Sequence, residues 1–101
     1  MELRKYRWSK HYESAEEELT ALLAHKGIKA NRWSAEPFET YELHSHDTDR
    51  RIWCAEGGIV FTINGRDYSL QPGDTFDLPA NTYHQATVGL NGCGCYEQIM
   101  A

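Results

Sequence analysis

No apolar run in this chain of 101 residues approaches the ~20 that a helix needs to cross a bilayer. The opening MELRKYRWSK is charged and lacks the apolar segment of a secretory signal. Membrane insertion is therefore not expected, and a cytoplasmic location is. Cysteine is scarce: Cys54, Cys93 and Cys95 form an odd set that lays out no disulfide framework, which fits a reducing compartment. Linkers, repeats and low-complexity tracts are missing as well. The chain reads as one domain over 1–101, with an N-terminal arm and helix in 1–28 and a β-rich body in 29–101. An excess of positive charge is also lacking: Lys and Arg total 10 against 15 Asp and Glu, for a net charge of -5. Such a balance is poorly suited to phosphate backbones, so no nucleic-acid partner is expected. The cluster Arg4, Lys5, Arg7 and Lys10 is the local exception and reads as a solvated arm.

What is present is an ordinary globular composition, 41% apolar and 25% charged. A core of this size is small, and a partner subunit of the same kind would enlarge it. One helix is legible. Ser14 and Glu17 have capping-box spacing, Glu16, Glu17 and Glu18 crowd the first turn, and Ala15, Leu19, Leu22 and Leu23 form an apolar stripe. Gly27 is placed to end it, with Ile28 folding back. Beyond it the pattern changes to short strand-like runs near 29–34, 38–46, 51–56, 58–64, 66–70, 74–78, 82–88 and 93–99. Turn residues separate them, including Asn64-Gly65, a strong hairpin signal, Pro72-Gly73-Asp74, Pro79-Ala80-Asn81 and Leu90-Asn91-Gly92. Many short strands at even spacing predict a sandwich or barrel, all-β apart from the one helix.

The chemistry concentrates in histidines. His44 and His46 lie two apart, so on a strand their side chains share a face. Divalent metals accept such imidazole pairs, though the spacing alone recurs by chance. His84 follows the turn at Pro79, in a strand that intervening hairpins can fold back beside the pair.

Read from Phe38 to Val88, the spacing resembles the two motifs of the cupins. His44, His46 and Gly57 fall at the places of the first motif, and Gly73, Pro79 and His84 at those of the second. The stretch GRDYSLQPGDTFDLPANTYH is cupin-like throughout. The resemblance implies a jelly-roll β-barrel with a pocket inside it, a small-molecule ligand and a homodimer. Four positions depart from the pattern. Phe38 stands at the first glycine, Asn81 at the glycine after the proline, Val88 at the final asparagine, and Arg50 at the metal-binding glutamate. Asn is the mildest replacement, because it tolerates the left-handed region.

Losing the carboxylate leaves readings open. In one, His44, His46 and His84 hold a divalent transition metal (Zn, Ni, Fe or Cu), with Asp49 as a fourth ligand and Asp47 orienting an imidazole. Arg50 then repels the cation but suits an anionic substrate. In a second, no metal binds, and the histidines and Arg50 line a site for a small anion or sugar; in a third, the histidines only fill space and bond to neighbours. In the first two, Arg50, Phe38 and Cys54 are assigned to the substrate pocket. Phe38 shares the parity of His44 and His46, and Cys54 that of Arg50. Tyr41 and Leu43 have the opposite parity and are expected to need a cover. No Ser-His-Asp or Cys-His arrangement is legible. If the chain is an enzyme, a metal-dependent dioxygenase, isomerase or lyase is the expected kind.

Overall fold

The computed structural model describes residues 1–10 and 16–100. It contains β1 (Arg4–Arg7), α1 (Glu16–His25), β2 (Asn31–Ala35), β3 (Thr40–His44), β4 (Asp49–Ile63), β5 (Arg66–Leu70), β6 (Asp74–Leu78) and β7 (His84–Met100). All strand pairings are antiparallel. The expected all-β architecture with one helix is present, in a jelly-roll arrangement.

Two long strands organise it. The first half of β4 pairs with β6 and with the second half of β7, while β1 and β2 extend that layer at its edges. The second half of β4 pairs with β5 and with the first half of β7, which also carries β3. The sequence predicts breaks at Gly57-Gly58 and at Leu90-Asn91-Gly92; the structure has bends there and no chain reversal. Pairing between β4 and β7 continues past both sites with shifts in register. Gly57 has φ 65°, and a Cβ there would land on the Gly92 carbonyl. Only glycine lets the two bent strands approach this closely.

Bending brings the two layers face to face. Phe61 of β4 stacks on Phe76 of β6 at 5.0 Å between ring centroids, and Ile52, Ile59, Leu70, Leu78, Val88 and Cys95 pack around them. Asn64 and Gly65 both have positive φ, as the predicted hairpin turn requires.

The helix covers the outer face of the first layer. Leu19 and Leu23 are buried against Trp53 and Ala55, with Trp8, Ile28 and Tyr96 at the margin. Burying those two leucines contributes about 2 kcal/mol each. At its start Glu16 accepts hydrogen bonds from the Tyr96 hydroxyl (2.6 Å) and Arg32 Nε (2.8 Å). At its end Gly27 is left-handed and the Ile28 amide donates to the Leu23 carbonyl, as anticipated. Ser14 and Ala15, expected in the cap and the stripe, lie outside the described residues.

The N-terminal basic cluster is not a solvated arm. Arg4–Arg7 is an edge strand paired with β6. Arg4 and Arg51 both bind Asp77, at 3.1 and 2.6 Å, and Tyr6 donates to the same carboxylate at 3.4 Å. Arg7 binds Asp74 at 3.3 Å. Arg4 and Arg7 on β1 therefore match the buried Asp77 and Asp74 of β6, a pairing across more than sixty residues that the local sequence does not announce. Among the described residues no helix is long and apolar enough to cross a membrane.

Candidate metal centre

His44 ends β3, His46 lies just beyond it, and His84 begins β7, directly opposite His44 in the pairing register. The three rings meet, with centroids 4.9 Å apart for His44 and His46, 4.3 Å for His44 and His84, and 5.2 Å for His46 and His84. One ring nitrogen from each lies within 4.8 Å of the others. His84 is 2% exposed and packs near Phe61; His44 and His46 are half-buried.

Backbone carbonyls orient two of the rings. Nδ1 of His44 lies 2.6 Å from the Glu42 carbonyl, and Nδ1 of His84 lies 2.9 Å from the Thr82 carbonyl. A carbonyl only accepts, so each Nδ1 carries the proton, and in the neutral ring Nε2 keeps its lone pair for a metal. Burial lowers the pKa of His46, with Arg50 adding to the effect; burial also lowers that of His84. Both rings therefore favour the neutral, ligating form. The donor set thus fits a divalent transition metal: convergent imidazoles, a fixed tautomer at two of them, and open positions for other ligands.

The triad lines one part of a cavity of about 320 Å³. Trp33, Tyr41, Ile52, Ile59, Phe61, Leu78 and Ala86 give it apolar walls. Ser34, Arg50 and Glu97 supply polar groups. Arg50 lines the cavity, and its Nη1 donates to Glu97 Oε2 at 2.7 Å and its Nε to Thr48 Oγ1 at 3.0 Å.

Several sequence assignments move. Asp49 does not join the triad. It neighbours Arg50 on a strand and so faces the other way, where its carboxylate accepts from the Ala80 amide at 2.7 Å. Asp47 is exposed, and carbonyls do the orienting instead. Phe38 is 64% exposed and lies outside the cavity lining. The parity that places it inside fails because the register slips between Tyr41 and His44. Tyr41 gains the inward position for the same reason and meets Trp33 edge to face at 6.3 Å. Leu43 remains 63% exposed. Cys54 does point inward but is fully buried in the core, away from the cavity lining. Phe38 and Asn81, which stand at motif glycines, keep left-handed backbone at φ 63° and 61°.

Glu97 is the acidic cavity residue that motif reasoning misses. It shares the parity of Cys93 and Cys95 on the last strand, and that inward alternation is the signal that points to it.

A family model described as a cupin domain matches residues 31–88, more than half of the chain. Among curated proteins none matches. Among solved structures, a DUF861 family protein from Thermotoga maritima superposes with a TM-score of 0.68 at 18% identity, covering 98% of this chain and 100% of its own. An acireductone dioxygenase from Bacillus anthracis, with a cadmium ion in its active centre, gives 0.63 at 17% identity, covering 98% and 78%. The KdgF protein from Halomonas sp. gives 0.62 at 20% identity, covering 71% and 67%. At these identities the likeness is one of fold.

Proposed function

The chain belongs to the cupin domain family, and from that premise we propose that it is a metal-binding cupin acting on a small molecule held beside the metal. The observation that carries this reading is the convergence of His44, His46 and His84, two of them with Nδ1 tied to a carbonyl. Uncharged nitrogen donors suit Zn, Ni, Fe or Cu better than the hard cations that prefer carboxylates. When bound, such a metal supplies Lewis-acid polarisation of a substrate oxygen or nitrogen. The chain's own groups do the rest. The apolar walls exclude water around one end of the ligand. Ser34 offers a hydroxyl, and the buried Trp33 Nε1 has no acceptor among the described residues. Arg50 offers a guanidinium for an anionic group, which it engages by sharing its contact to Glu97.

A second reading, a binding or sensing module that uses the cavity without a metal, draws on the same inward guanidinium. Metal analysis of protein purified without an affinity tag separates the two. Stoichiometric transition metal in the wild type, lost in His84→Ala, is the expected result. Metal-free protein that still binds small carboxylates through Arg50 overturns it in favour of the second reading. We also propose a homodimer in the cytoplasm. The three free cysteines fit a reducing compartment, and the exposed Leu43 and Tyr83 give a second copy something to cover. Sedimentation of the purified chain as a monomer overturns the dimer.

A further inference from the structure

We propose that Glu97 is the counter-ion of the metal centre: its carboxylate cancels the charge of Arg50 and so permits three uncharged imidazoles to take a divalent cation. The inference rests on the reading of the triad as a metal site and adds a positioning residue to it.

Charge is the starting point. At the motif position where a carboxylate would face the metal, this chain places an arginine, and the structure aims it into the cavity. Three neutral imidazoles beside a lone guanidinium make a site of net charge +1, which repels any cation entering it. The structure supplies the missing negative charge from elsewhere. Glu97 projects from β7, 47 residues further along the chain, and meets Arg50 at 2.7 Å. Both side chains are more than four-fifths buried, 17% and 18% exposed, so solvent screens their fields only weakly. Arg50 and Glu97 line the same cavity as the three rings, so their fields act on the triad with opposite sign. A cation held by those rings feels the same two fields. With Glu97 present, the site starts near neutrality. Thr48 fixes the guanidinium from its other side, so the pair is held in the cavity wall. Glu97 thus supplies from β7 a carboxylate at the cavity where the motif would place one on β4.

A double-mutant cycle on metal affinity tests this, with Zn²⁺ or Ni²⁺ titrated calorimetrically into metal-free, untagged protein. Glu97→Gln leaves Arg50 uncompensated and is expected to weaken binding at least tenfold, the scale seen for groups that support metal ligands. Arg50→Met leaves the carboxylate alone with the cation and is expected to tighten binding several-fold. The double variant is expected to return to within a few-fold of wild type, a reversal that lost packing does not produce. Unchanged affinity in Glu97→Gln overturns the inference. So does a double variant as weak as Glu97→Gln, which makes Glu97 a direct ligand. Should Glu97→Gln fail to fold, Arg50→Met decides: affinity no tighter than wild type overturns the counter-ion role. Wild-type protein that binds no metal overturns the metal reading itself. Binding lost in His84→Ala but indifferent to Glu97 overturns only the counter-ion role.

Discussion

Two clusters of polar side chains among the described residues differ in completeness. Under β1, Asp77 is 2% exposed and receives Arg4, Arg51 and Tyr6. Its charge is answered within the chain, so the cluster stabilises the fold and asks for nothing more. At the other place three imidazoles converge, one ring nitrogen of each within 4.8 Å of the others, and backbone carbonyls hold Nδ1 of two of them. Neutral rings have little reason to gather lone pairs in one spot unless something positive joins them. A satisfied cluster marks structure; a convergent, unsatisfied one marks function.

The largest effect expected is at the complete cluster. Asp77→Ala leaves two guanidinium groups facing an apolar replacement. Their partial exposure moderates the cost to about 3 kcal/mol, read from urea unfolding. Metal affinity is expected to be unchanged, and a parallel fall in both quantities would erase the distinction between the two places.

Next comes the response to metal. Saturating metal at a hundred times its Kd raises wild-type stability by about 2.7 kcal/mol through mass action. His84→Ala is expected to show no such gain in a thermal melt. An equal gain in that variant would place the metal elsewhere.

Acid gives a smaller separation. The pKa values of His46 and His84 lie below their ordinary value in the folded chain. Well above about pH 6.5 the rings are neutral in both folded and unfolded chains, and their contribution is flat. As the pH falls below that, the unfolded chain takes up protons first, so metal-free stability declines until the folded rings protonate in turn. His84→Ala should flatten part of this decline. Identical pH profiles for the two proteins would remove the claim that burial disfavours the charged ring.

The smallest effect concerns Phe38, at φ 63° and 64% exposed. Phe38→Gly relieves a left-handed residue with little packing to lose. It should gain up to about 1 kcal/mol without altering metal affinity. A loss of stability would show that the ring contributes more than its exposure indicates.

The triad is legible in the sequence because its residues keep motif spacing, and the turns at Gly27 and Asn64-Gly65 because local chemistry decides them. Other features depend on what the chain meets at a distance. β1 is hidden because its cations are answered by Asp74 and Asp77 far along the sequence. β4 and β7 each look like two strands because Gly57-Gly58 and Asn91-Gly92 look alike at a turn and at a bend. The parity that sends Phe38 inward and Tyr41 outward assumes an unbroken ladder, and one irregularity before His44 reverses it. Glu97 carries no motif. Its place beside Arg50 becomes visible only when the second half of β7 lies against the first half of β4.

The central claim, that three imidazoles share one cation, is tested most directly by X-ray absorption at the K edge of the metal bound to untagged protein. Three imidazole nitrogens are predicted, at about 2.0–2.1 Å for zinc, and His84→Ala, which loses the metal, is predicted to give no such shell. A shell of sulfur or oxygen donors without imidazole, or one unchanged in that variant, would contradict it.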